Sequence, residues 1–201
     1  MEGELDELAA VLAGCFGLAP ALIGAANRSG TTQAAYVSGF LSGALDDIVI
    51  STKLMLAGKL AASGNMMRQA VEGVAMAILC SSDEPLLLQH ESRKQLAINA
   101  IYWERLESDD RCAEGGRALS QLEWNAPTLH LNGDAVAGLL DTKRHFNQLS
   151  HCDKVTLACR MSLEQVGIHG GDWIWRNCQA IASKCSIGSA CRDSCLRSSN
   201  G

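Results

Sequence analysis

Apolar positions in this chain recur at intervals of three and four over long stretches, which is the period of a helix face rather than the alternation of a strand. Residues 3–26 carry such a pattern. Gly17 to Pro20 predict a break within it, because proline lacks the amide that the preceding turn needs. Residues 27–30 read as a turn. Thr31 or Thr32 is expected to cap a second helix, since a hydroxyl accepts from the free amides of a first turn. That helix reaches about Leu56 and sets Tyr36, Phe40, Leu41, Leu45, Ile48, Thr52 and Met55 on one stripe, with Gly58 as its break. A third helix over 60–81 aligns Leu60, Gly64, Met67, Val71, Val74 and Ile78 as the seam of an antiparallel helical pair.

The run Asp83-Glu84-Pro85 predicts the first turn of a fourth helix reaching about Leu106, because acids and proline favour that position. Residues 107–117 read as a loop around Gly115-Gly116, and 117–124 as a short helix. Residues 125–133 form a second loop. Asp134 begins the last major helix, which runs through Leu139, Leu140 and Phe146 to about His151. Beyond it, 167–171 reads as a loop and 173–183 as helix. From Cys185 onward Ser, Gly and Arg dominate. The expectation is one all-α domain over 1–184, a bundle of about five to seven helices, with a flexible Cys/Ser/Arg-containing tail over 185–201 and no internal repeat.

Composition agrees with that expectation. Apolar residues make up 47% of the chain and proline occurs three times, while an aromatic content of 4% argues against a β sandwich or barrel. The net charge of −5 lacks the broad basic footprint of a protein that grips nucleic acid over a large surface, and leaves room only for a small local site. Nine cysteines in a chain this long, an odd number mostly within helical patterns, read as reduced thiols of a cytoplasmic protein. Leu12-Ala13-Gly14-Cys15 matches a bacterial lipoprotein cleavage box, and 8–26 carries no charge. A signal peptide needs a basic start, however, and residues 1–7 are acidic. With Pro20 and many Ala and Gly the stretch is a poor membrane span, so no membrane contact is expected.

Candidate chemistry concentrates in Lys143-Arg144-His145-Phe146-Asn147-Gln148-Leu149-Ser150-His151. Arg144 and His151 are seven apart, so on a helix they return to one face about 10 Å apart along the axis, with Asn147 and Gln148 between them. A guanidinium holds a phosphate bidentately and an imidazole exchanges protons near neutral pH, so the pair could handle a phosphodiester without a metal.

These residues resemble the Arg-x4–6-His motif of the HEPN superfamily, with His145 as the polar residue that often follows the Arg. Gly58 through Leu79, with Ala61-Ala62, Arg68 and Glu72, is similar to the central helix of HEPN-like families. The resemblance implies a helical bundle acting as a homodimer, with two Arg/His motifs forming one cleft. It implies a metal-independent endoribonuclease of a toxin or phage-defence system, needing no cofactor. Arg144 would position the scissile phosphate of RNA and His151 would assist attack by the ribose 2′-OH. His145 and Asn147 would support them, and Arg68, Gln148 and Lys154 would contact substrate.

A second reading stands beside this one. Related helical families often place His-Pro four residues after a Leu-Ser, whereas here Leu149-Ser150 leads to Lys154-Val155. Arg144 can be satisfied by Asp141, and Arg68 can pair with Glu72 one turn away. The chain is then a non-catalytic helical dimerisation or scaffold module with a protein partner. Metal binding is not expected: Cys178, Cys185, Cys191 and Cys195 lack the paired spacing of zinc modules, and His145, His151 and Cys152 are not fixed together. There is no phosphate-binding glycine loop, no Gly-x-Ser-x-Gly elbow and no His-Glu-x-x-His.

Overall fold

A computed structural model describes residues 2–93 and 96–150. They form helices α1 (Glu2–Ser29), α2 (Thr32–Leu56) and α3 (Leu60–Cys80), a hairpin of β1 (Leu86–Gln89) and β2 (Ile98–Ala100), then α4 (Tyr102–Glu107), a single 3-10 turn (Arg111–Ala113), α5 (Gly115–Asn125) and α6 (Gly133–Ser150). The chain is therefore an all-α bundle carrying one small sheet. The expected loop over 167–171, the expected helix over 173–183, the tail from Cys185 and the C-terminal cysteines lie outside the described residues.

Two expected boundaries hold for the reasons given. Thr31 Oγ1 accepts from the amide of Ala34 at 3.2 Å and starts α2, and Gly58 at φ 72 makes the turn into α3, a conformation that a side chain would resist. α1 corrects the first expectation, because it runs unbroken through Pro20. The proline removes one hydrogen bond from a long ladder whose other turns remain intact.

α2 and α3 pair antiparallel. Near the turn, the buried hydroxyl of Ser51 meets Ser63 Oγ at 2.9 Å and donates to the Ser63 carbonyl at 2.9 Å. Further along, a Cβ on Gly73 would sit 3.4 Å from the Phe40 carbonyl oxygen, so the missing side chain lets the helices close together. α3 is the central element and is covered by α2, α5 and α6. Met67, Val71, Leu79 and Cys80 on it are almost wholly buried, as are Leu119 and Leu122 of α5 and Phe146 of α6. Burial of this kind contributes roughly 1.5–3 kcal/mol per large side chain.

Residues 83–106 are not the predicted helix. They hold the β-hairpin and the short α4, with Leu86 opposite Ala100, Leu87 opposite Asn99, and a bulge before Gln89 pairs with Ile98. Leu86 and Leu88 are buried while Leu87 and Gln89 are half-buried, a period of two that the leucine run concealed. The physical reason lies 38 residues downstream. Asn125 Oδ1 accepts from the Leu87 amide at 2.8 Å, and Asn125 Nδ2 donates to the Leu87 carbonyl at 2.9 Å. Gln121 Nε2, one turn earlier on α5, donates to the carbonyls of Leu88 and Cys112. Two carboxamides thus serve β1 as a neighbouring strand would.

The glycine pair expected in a loop instead opens α5. A Cβ on Gly115 would lie 3.2 Å from Met76 Sδ, so glycine here allows the start of α5 to press against α3. At the α6 start, Asn132 Oδ1 accepts from the Asp134 amide at 2.8 Å. Replacing Asn125 with Ala should cost about 2–4 kcal/mol, since it strands the amide and carbonyl of Leu87. Urea unfolding of Asn125→Ala beside Asn99→Ala, an exposed control, measures the difference.

Candidate functional site on the last described helix

α6 presents an inward row of Val136, Leu139, Thr142 and Phe146, all buried. Arg144 is two residues from both Thr142 and Phe146, hence about 200° around the helix from each, and so faces solvent. Its guanidinium donates from Nη1 to Asp141 Oδ1 at 2.8 Å, with side-chain exposures of 73% and 66%. A pair this open to water is worth about 0.2–1 kcal/mol and is screened by salt, so a phosphate can displace the carboxylate from Arg144.

Lys143 was not singled out by the sequence, yet it fastens α6 in place. Its ammonium pairs with Glu72 Oε1 on α3 at 3.1 Å and donates to the Gly116 carbonyl at 2.7 Å, and both members of the pair are largely shielded from solvent. The signal available in the sequence was Lys143 standing beside the buried Thr142 position, where an uncompensated ammonium would be costly. One lysine therefore ties α6 to α3 and to the first turn of α5, and fixes the direction in which Arg144 leaves the helix.

The same contact corrects the expected Arg68–Glu72 pair. Glu72 is engaged by Lys143, and among the described residues the buried Nε of Arg68 has no hydrogen-bond partner. Arg68 is partly exposed.

His145 is half-buried and meets the Phe146 ring edge-on with centroids 5.3 Å apart. Burial pushes its pKa down from 6.5 to about 4, so the ring is neutral near physiological pH and does not serve as a proton donor there. Asn147 is likewise partly buried on the described part of α6. Gln148 falls within α6, but its side chain, together with His151 and Lys154, lies outside what is described. The structure thus brings Arg144, His145 and Asn147 onto one helix.

Elsewhere, the described cysteines Cys15, Cys80 and Cys112 are unpaired. Burial raises the Cys80 thiol to about 12, which makes it a core residue rather than a nucleophile. Among the described residues no group of three or more His, Cys, Asp or Glu side chains is placed to hold a metal ion. The sequence reading also missed a contact between His90, after β1, and Trp124 of α5, whose rings meet edge-on at 4.4 Å.

Compared with family models, curated proteins and solved structures, the chain matches none.

The His145 environment has a pH signature. An unfolded chain takes up the imidazole proton near 6.5, whereas the folded chain resists it until about 4. The unfolded state therefore binds more protons between these values, so stability is full above 6.5 and declines as pH falls towards 4. NMR titration should place the ring near 4, and His145→Gln should flatten the dependence of the melting temperature on pH in that window. A ring titrating near 6.5 in the folded protein would refute the assignment.

Proposed function

We propose that this is a HEPN-like helical protein acting in the cytoplasm as a metal-independent endoribonuclease of the toxin or phage-defence kind, with Arg144 as its phosphate-holding group. The observation that supports this is the solvent-facing guanidinium of Arg144, held by one water-exposed carboxylate at 2.8 Å on a helix locked in place by Lys143. Arg144 would neutralise a non-bridging oxygen of the scissile phosphate. A base, assigned by the motif to His151, would take the 2′-OH proton, so that the 2′ oxygen attacks phosphorus, the P–O5′ bond breaks to leave a 2′,3′-cyclic phosphate, and the departing 5′ oxygen takes a proton from water. No cofactor is required by this chemistry. His145, being neutral and half-buried, would act through packing and hydrogen bonding rather than by protonating the leaving group.

A second reading, a non-catalytic interaction module with a protein partner, is favoured by the Asp141–Arg144 pair itself and by the net charge of −5. In this reading the carboxylate satisfies the arginine, and the acidic surface discourages RNA.

Purified protein in EDTA with single-stranded RNA separates the two. Arg144→Ala and His151→Ala should each lower cleavage by about 10²-fold or more while leaving the helical circular-dichroism signal unchanged. Absence of cleavage by the wild-type chain, or cleavage indifferent to both substitutions, would leave the interaction module standing.

A further inference from the structure

α1 has two faces of different character. Leu5, Leu8, Leu12, Cys15, Ala19 and Leu22, spaced three and four apart, are buried or half-buried on the side of the helix that joins the core. On the opposite side Ala10, Ala13, Gly14, Gly17 and Ala21 are exposed. A Cβ built on Gly14 or Gly17 meets nothing within 4 Å. This shallow floor is bordered by Phe16, 42% exposed, on one side and by Leu18, 54% exposed, on the other. The result is an exposed apolar strip along α1, with the Arg28 guanidinium folded back over Gly24 near its C-terminal end, 3.4 Å from where a Cβ there would lie.

Charge says what fits. Asp6 and Arg28 are both exposed and fall on this outer side, and Gly17 is the residue midway between them. Two copies of α1 laid antiparallel about a two-fold axis at Gly17 set Asp6 of each against Arg28 of the other, twice. A parallel pairing would set Asp6 on Asp6 and Arg28 on Arg28. The antiparallel arrangement also opposes the helix dipoles. In area, a helix of 28 residues is about 42 Å long, and half of a cylinder about 10 Å across is roughly 650 Å². That approaches the roughly 800 Å² per partner of a stable complex.

We propose that the outer face of α1 is the seat of a second copy of this chain, packed antiparallel with Gly17 at the two-fold axis. α1 and α2 are each long and apolar enough to cross a membrane by length and composition. A bilayer fits less well, because α2 carries Asp46, Asp47 and Lys53 and is packed along its length on α3, which anchors the hairpin to the folded domain. The proposal does not rest on the ribonuclease reading, since it uses a different helix and an assay without RNA.

Light scattering on the full chain at tens of micromolar should give the mass of a dimer. Arg28→Glu should weaken it at least about tenfold, and Asp6→Arg combined with Arg28→Glu should restore it. In a Cys15→Ala background, Gly17→Cys should oxidise to a disulfide-linked dimer absent from the background alone, whereas Ala10→Cys should not, because antiparallel packing sets position 10 against 24. Circular dichroism checks that each variant folds. A monomeric wild type, a dimer indifferent to both charge changes, or cross-linking at Ala10→Cys equal to that at Gly17→Cys would overturn the proposal. So would a monomer that sediments with neutral phosphatidylcholine vesicles, which would assign the face to lipid.

Discussion

The carboxamide of Asn125 engages both backbone polar groups of Leu87, and the architecture of the second half of the chain follows from it. A two-stranded hairpin has little stability alone. Here its inner strand is completed by side chains of α5, with Gln121 taking the next carbonyl and also that of Cys112. α5 is thereby held against β1 and α3, and α6 packs on both α3 and α5. Tyr102 is buried where the hairpin gives way to α4, and its hydroxyl donates to the Ala113 carbonyl at 3.4 Å. The polar contacts of this region are few, buried and shared between distant segments, so it behaves as one cooperative unit.

This explains what a reading of the residues could and could not reach. α2, α3 and α6 were legible because their apolar stripes, Thr31 and Gly58 act within a turn or two of where they sit. The hairpin was not, because Leu86-Leu87-Leu88 has no alternation of its own and Asp83-Glu84-Pro85 is good helix-opening chemistry. What decides the conformation is a carboxamide far along the chain, which no local window contains. The start of α5 escaped for a related reason: Gly115-Gly116 looks like a loop until Met76 is known to press against it. Pro20 misled in the other direction, since a long helix tolerates one missing amide.

At the candidate site the sequence placed Arg144, His145 and Asn147 on the helix that carries them but did not give their environments. Periodicity put Arg144 and His151 on one face, and Arg144 stands on the solvent side of α6. It did not foresee that His145, its neighbour, turns half-inward against Phe146 and loses its proton affinity, or that Glu72 is taken by Lys143 in place of Arg68. Adjacent residues on a helix differ by 100° in direction, enough to separate an exposed cation from a desolvated ring. Lys143 is the residue that makes the difference physical: its shielded ion pair leaves α6 no freedom to rotate Arg144 inward without abandoning a charge.

The two serine hydroxyls that meet between α2 and α3 have a mechanical meaning of their own. Ser51 and Ser63 are buried together between the two helices. A shift of one helical turn would part the hydroxyls from this contact and bring a side chain to the place that Gly73 holds against Phe40. They therefore act as a detent: the hairpin has one registry, cannot ratchet as regulatory helices do, and passes any load on α2 straight into the centre of the molecule.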